Sequence, residues 1–330
     1  MGDKMHLDFS IYPYSPNKGA PIFFALAFLI STVYHIWQNI KYKSWRITGS
    51  LPWGGLVFVA GFAMQTVSIY KDHDLGIFIA KTVLLLIAPP VYSLTNYFVL
   101  GRVLFYVPYL SPIHPGRVMS TFVGLDAVVG ILTGNGASRS ANTSNPPSEI
   151  SAGADMVRAS IVLQLACFVG FIALEMVFHS RCIKAKVLNK KLQRIITLLY
   201  VSSALILIRN IYRVVEVWEG YDSYLTNHEA FFYVFDGALM LVNTLMWNVW
   251  HPMEFLPNDN KIYLSKDGKT ELEGPGWVDK RPFLVTLFDP FDLAGLFKGR
   301  DKASMFWENE EKHRKVADSG VTEGKAGQDA

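Results

Sequence analysis

Residues 82–101 read TVLLLIAPPVYSLTNYFVLG, twenty positions without a charge and with two adjacent prolines in the middle. A proline inside a helix removes a backbone hydrogen bond and collides with the preceding turn, so a soluble helix would break here. In a bilayer the constraint is different. Crossing the hydrocarbon takes about 20 mostly apolar residues, and neighbouring helices re-satisfy the groups that proline frees. The stretch therefore predicts a membrane-spanning helix kinked at Pro89-Pro90.

Six more windows of this kind lie on either side of it. Residues 20–37 and 51–70 carry no charge, the latter despite Gly54, Gly55 and Gly61. Windows 118–136, 159–178 and 230–250 hold one acid each, Asp126, Glu175 and Asp236, and 195–213 is apolar until Arg209. The first window reads as an uncleaved span: it is longer than the apolar core of a signal peptide, and no A-x-A-like site follows it. The prediction is an all-α integral membrane protein with seven transmembrane helices. It divides into an extracellular segment 1–19, a seven-helix domain 20–252 and a cytoplasmic, partly disordered tail 253–330.

Composition points the same way. Half the chain, 51%, is hydrophobic and only 18% is charged, against about 25% charged in an ordinary soluble domain. Mean hydropathy is +0.23 even with the charged tail included. Aromatic residues make up 14%, and Trp and Tyr collect at membrane–water interfaces. A net charge of +3 is too weak a bias for a nucleic-acid partner. Cys167 and Cys182 cannot form a disulfide framework.

Orientation follows from the basic residues of the loops, which favour the cytoplasmic side. Lys41, Lys43, Arg46, Arg102, Arg117, Arg181, Lys184, Lys186, Lys190, Lys191 and Arg194 fall on one side, and only Lys71, Lys81, Arg139 and Arg158 on the other. The amino terminus is expected outside and the carboxy terminus in the cytoplasm. Asn142-Thr143-Ser144 is an N-glycosylation sequon in the fourth loop, outside in this topology. The apolar cluster between Phe283 and Phe297 is too short to span. It is read as lying on the inner membrane surface or docking on the bundle, with a mere tail cluster as the rival. The last twenty residues look disordered.

A charge at the bilayer centre costs about 2.5–3.5 kcal/mol on insertion scales, so each one calls for a partner or a function. Asp126 sits near the middle of its window, as a contact for a cationic group or as a hydrogen-bonded core acid. Glu175 is placed near the inner end of its own, where the interface is within reach. The richest region is the last two spans. Arg209, Arg213 and Glu216 fall on one helical face, and Glu229, Tyr233 and Asp236 repeat the interval on the next helix. Antiparallel packing would set Arg209 level with Asp236 and Glu216 level with Glu229. The group reads either as a structural clasp or as a ligand site. No catalytic motif, nucleotide fingerprint or HExxH pattern occurs, the histidines sit at span ends, and no catalytic, cofactor or metal site is expected.

Ile208-Arg209-Asn210-Ile211-Tyr212-Arg213-Val214-Val215-Glu216, followed by Gly220, Tyr224-Leu225, His228-Glu229, Tyr233-Val234-Phe235-Asp236 and His251-Pro252, resembles the fungal lipid-translocating exporter family (RTA-like, aminocholesterol-resistance type). Tyr12-Pro13-Tyr14-Ser15-Pro16, His35, Ala88-Pro89-Pro90 and Asp126 extend the resemblance over roughly residues 11–252. It departs from the family where a Gln seven residues after the helix-four Asp is replaced by Thr133, with Asn135 nearby. The resemblance implies seven helices in the same orientation and the export of amphipathic molecules such as sphingoid bases or amino-sterols.

The expected function is an exporter of amphipathic lipids or toxic amphiphiles, not driven by ATP, contributing to stress or drug resistance at the fungal plasma membrane. Its substrate-binding residues would be Asp126, Arg209, Arg213, Glu216, Glu229, Tyr233 and Asp236, in a polar cleft open to the outer leaflet. Five acids against three bases in or beside the spans favour a cationic amphiphile. Membrane lipids or amphipathic small molecules are the expected partners, and the sequence leaves the oligomeric state open. The rival readings are a seven-helix receptor or sensor, acting through residues 181–194 and the tail, and a structural or regulatory membrane partner.

Overall fold

The computed structural model describes residues 16–71, 73–220 and 223–276, together with Val285 and Trp307. Seven helices in it are long and apolar enough to cross a membrane: α1 (Gly19–Tyr42), α2 (Ser50–Tyr70), α3 (Leu75–Tyr106), α4 (Pro115–Ala141), α5 (Pro147–Lys184), α6 (Lys190–Glu219) and α7 (Glu229–Glu254). Each contains the window expected for it. Their starts are chemically marked. Asp74 and Asn189 cap α3 and α6 by accepting the backbone N–H of Ile77 and Leu192, and Pro115 and Pro147 open α4 and α5, where a missing N–H costs nothing. At 38 residues, α5 is about 57 Å long, well beyond a hydrocarbon core of about 30 Å, so both its ends project or the helix tilts.

Successive helices pack on one another from α1 to α7, α7 returns to α1, and α3 crosses the middle to meet α6. α1 turns Phe23 and Ile30 outward, 60% and 71% exposed, as a lipid-facing surface requires. Its other face joins an aromatic core in which Phe28 stacks on Phe58 at 4.4 Å and Phe24 on Tyr233 at 5.6 Å. The α1–α7 seam is polar: His35 Nε2 lies 3.0 Å from Thr244 Oγ1, and Asn248 Nδ2 donates to Ser31 Oγ at 2.6 Å. Such bonds hold helices together where lipid supplies no hydrophobic drive. α3 runs through Pro89 and Pro90 as one continuous helix. Without their N–H groups, the carbonyls of Leu85 and Leu86 lose their normal helical donors, yet the expected kink does not interrupt it.

α7 is not uniform. It is α-helical over Glu229–Phe232, widens into a π-helical stretch over Tyr233–Ala238 and resumes as an α-helix over Leu239–Val249.

The beginning of the tail docks on the bundle. Strands β1 (Ile262–Leu264) and β2 (Glu271–Glu273) form an antiparallel hairpin. Arg102, counted above among the loop charges, lies inside α3 and is 2% exposed. It donates through Nε to the Pro257 carbonyl at 2.6 Å and through Nη2 to the Asp259 carbonyl. Tyr106 donates to Glu271 at 2.8 Å and Tyr109 to the Ser265 carbonyl at 3.0 Å. The apolar cluster 283–297 lies outside the described residues apart from Val285, as do the last twenty positions and residues 1–15.

Candidate functional site

The π-helical stretch and the Arg-x-x-x-Arg face of α6 meet at Asp236. A π turn takes up an extra residue and resets which side chains face the neighbouring helix. Asp236 then heads a buried face continued by Met240, Asn243 and Trp247. Arg209 Nε donates to Asp236 Oδ1 at 2.6 Å, the pairing that the spacing predicts, and Arg213 Nη2 takes the other oxygen. Arg213 Nη1 reaches Glu216 Oε2 at 2.8 Å, and the Tyr212 hydroxyl donates to Glu216 Oε1 at 3.0 Å. Phe232 lies under the Arg213 guanidinium at 5.7 Å, and Tyr212 stacks on Phe235 at 5.1 Å. Both arginines and Asp236 are buried. In that setting a shared carboxylate can hold two guanidiniums only because each oxygen receives its own donor.

Two residues expected in this group take other places. Glu229 is partly exposed and accepts the backbone N–H of Asn17 at 2.7 Å, so it ties the entry of α1 to the start of α7 instead of joining the arginines. Tyr233 faces α1 and α2, against Phe24 and Phe62.

Asp126 is also separate. Its helix, α4, packs on α3 and α5, whereas the arginine group belongs to α6 and α7. Asp126 is buried, it forms no ion pair among the described residues, and the polar side chain facing it is Tyr97. Around Tyr97 stand Phe122 at 5.2 Å and Phe171 at 4.9 Å. Asp126 thus takes no part in the ion pairs and hydrogen bonds that join the arginines to Asp236 and Glu216. On the flank of α4, a groove of about 530 Å³ opens against α3, lined by Val83, Leu84, Gly130, Ile131, Gly134 and Asn135 among others. Thr133, at the variant position of the family pattern, is buried and donates to Ser160 Oγ at 2.9 Å, while Asn135 turns back to the carbonyl of Ile131.

The sequence reading placed Glu175 within reach of the interface; the structure overturns that. α5 continues to Lys184, which sets Glu175 nine residues inside the helix end and 1% exposed. Ser203 donates to it at 3.3 Å, Asn96 donates to Ser203 at 3.3 Å, and Ser202 bridges Asn96 and Asn243 at 2.8 and 2.7 Å. Trp247 Nε1 closes the chain onto Ser202 at 3.3 Å. This polar spine joins α3, α5, α6 and α7. A reading limited to charged residues passed over Asn96, Ser202, Ser203 and Asn243, although small polar residues inside apolar windows are themselves signals of interhelical bonding.

Seven apolar helices closed around buried ion pairs and polar bonds define an integral, multi-pass membrane protein. The chain belongs to the RTA1-like family, whose model, described as "RTA1 like protein", matches residues 51–259. It is 39% identical over 316 residues to a lipid-translocating exporter-like protein RTA1 of Leptosphaeria maculans, covering 89% of this chain and 60% of that one. A protein of the same description from Ajellomyces capsulatus is 32% identical, with 79% of this chain and 86% of the relative covered. Protein RTA1 of Saccharomyces cerevisiae is 31% identical, with 74% and 86% covered. The chain thus spans less than two thirds of the Leptosphaeria relative. No solved structure matches it.

Proposed function

We propose that the protein moves amphipathic lipids or toxic amphiphiles across the bilayer without ATP, contributing to stress or drug resistance at the fungal plasma membrane. The observation that carries the reading is Asp126: a buried carboxylate that faces the neutral Tyr97 side chain and forms no ion pair among the described residues. Burying a charge without a counter-charge is costly, and the amine of a sphingoid base or amino-sterol would offset that cost during passage. The apolar groove on the flank of the same helix, lined by Gly130 and Gly134 among others, offers room for an alkyl chain, and the names of the relatives agree. The test is reconstitution in sealed vesicles with a fluorescent sphingoid base. Movement between leaflets should exceed that of protein-free vesicles and fall at least tenfold in Asp126→Asn, a loss of about 1.4 kcal/mol. Absence of movement with correctly folded protein would overturn the reading.

A sensor is the second reading, favoured by the docking of the tail on α3 through Arg102. Deleting residues 257–330 separates the two: a sensor falls silent, whereas a translocator keeps moving lipid.

We propose an external amino terminus and a cytoplasmic tail. Asn142 follows the last residue of α4 in the short turn before α5 and is partly exposed. In a fungal host, endoglycosidase should shift the mobility of the wild type and leave Asn142→Gln unchanged. A wild type accessible to a glycosylating enzyme only from the cytoplasmic side would reverse the orientation.

A further inference from the structure

The α6–α7 group leaves three buried donors without an acceptor. All four carboxylate oxygens of Asp236 and Glu216 are occupied, by Arg209, Arg213 and Tyr212. Donors are left over. Arg209 Nη2, Arg213 Nε and Asn210 Nδ2 are buried without an acceptor. Turning the Asn210 amide over does not repair this, because its oxygen already accepts Arg209 Nη1 at 3.3 Å and an NH₂ there would face another donor. The three donors belong to one bonded group: both guanidiniums grip the Asp236 carboxylate, and the Asn210 side-chain oxygen accepts from the Arg209 guanidinium. Lys81 on α3 lies in electrostatic range of Arg213. Arg209 and Asn210 are each 1% exposed, and an unmet buried donor carries its full desolvation penalty.

We infer that this patch receives an acidic oxygen headgroup, the phosphate or carboxylate of an amphiphile, which enters at the C-terminal end of α6 past Arg213 and Glu216. The chemistry is specific in sign. An ammonium headgroup has no acceptor to offer these nitrogens, and Asp236 and Glu216 are already neutralised by the two arginines. Planar guanidiniums, by contrast, match phosphate and carboxylate oxygens. The patch is therefore opposite in preference to Asp126. The inference deepens the translocator reading and rests on it for the ligand's being a lipid.

Binding tests it independently of transport. The full chain in dodecyl maltoside micelles, which carry no phosphate or carboxylate, would be titrated with dodecyl phosphate, dodecyltrimethylammonium and inorganic phosphate, following the unfolding midpoint. Dodecyl phosphate should raise the midpoint saturably, and the ammonium compound should not. Asn210→Asp keeps the acceptor for Arg209 but replaces the orphan donor with an acceptor, and should weaken dodecyl phosphate binding at least tenfold. Should that variant not fold, Asn210→Leu, nearly isosteric and without the donor, is titrated instead, although it also removes the acceptor of Arg209 Nη1. Equal stabilisation by the ammonium compound, or undiminished binding in the folded Asn210 variant, would overturn the site. Inorganic phosphate binding as tightly as dodecyl phosphate would overturn the amphiphile assignment. Phosphate binding without lipid movement in vesicles would refute translocation and leave the site standing, whereas movement without such binding would refute the site alone.

Discussion

Asp236→Ala destabilises the protein by about 3–5 kcal/mol, the cost of breaking a buried ion pair from one side. The substitution removes the acceptor of Arg209 Nε and of Arg213 Nη2 together. Arg213 retains Glu216, but Arg209 keeps only the neutral Asn210 oxygen. Two buried cations then face each other without a shared counter-charge. The measurement is a thermodynamic cycle with Arg209→Leu, Asp236→Leu and the double variant, each followed by unfolding in mixed micelles. Removing both partners should cost clearly less than the two single losses combined, by more than about 0.5 kcal/mol, the usual error of additivity. Additive losses would mean that the pair carries no coupling, and the group would have to be held by its surroundings.

Gly136→Val should destabilise the bundle by about 3 kcal/mol, the upper range for overpacking. It lies at a close approach of α4 to α5. A Cβ at Gly136 would stand 2.8 Å from the Gly153 carbonyl oxygen and 2.9 Å from the Val157 nitrogen, and one at Gly153 would meet the Ser140 nitrogen at 2.7 Å. These are backbone atoms and cannot swing aside, so the helices must separate. Small residues are retained in membrane interfaces for this reason. Separation also moves α4 relative to α3 and displaces Asp126 from Tyr97, so lipid movement should fall with stability. Gly170 is the control. A Cβ there meets nothing within 4 Å, and Gly170→Ala should stabilise α5 by about 0.5–1 kcal/mol. Equal effects at the two positions would show that helix propensity, not close approach, governs both.

The seven spans were legible because a bilayer demands long apolar runs and allows few substitutes. Each expected window lies inside an observed helix, though the ends extend further because polar flanks can continue a helix past the hydrocarbon. The Arg209–Asp236 level was also legible, since consecutive antiparallel helices of fixed rise leave little freedom in register. Other relations were not. Glu229, one face-repeat from Asp236 in an ideal helix, is turned to Asn17, because the α7 backbone widens between them. Glu175 was misplaced because composition marks where hydrophobicity ends and not where the helix does. Arg102 and Lys81, read as loop or rim charges, are buried side chains of α3.

The residues alone therefore determine that the chain crosses a membrane seven times and that ionisable groups sit inside it, since both follow from one-dimensional periodicity and transfer cost. Which of those groups share a carboxylate, which stand alone and which donors are left without acceptors is decided only in three dimensions. Hydrogen-bond satisfaction depends on which helix faces which and on a single widened turn in α7. No pattern along the chain encodes that geometry.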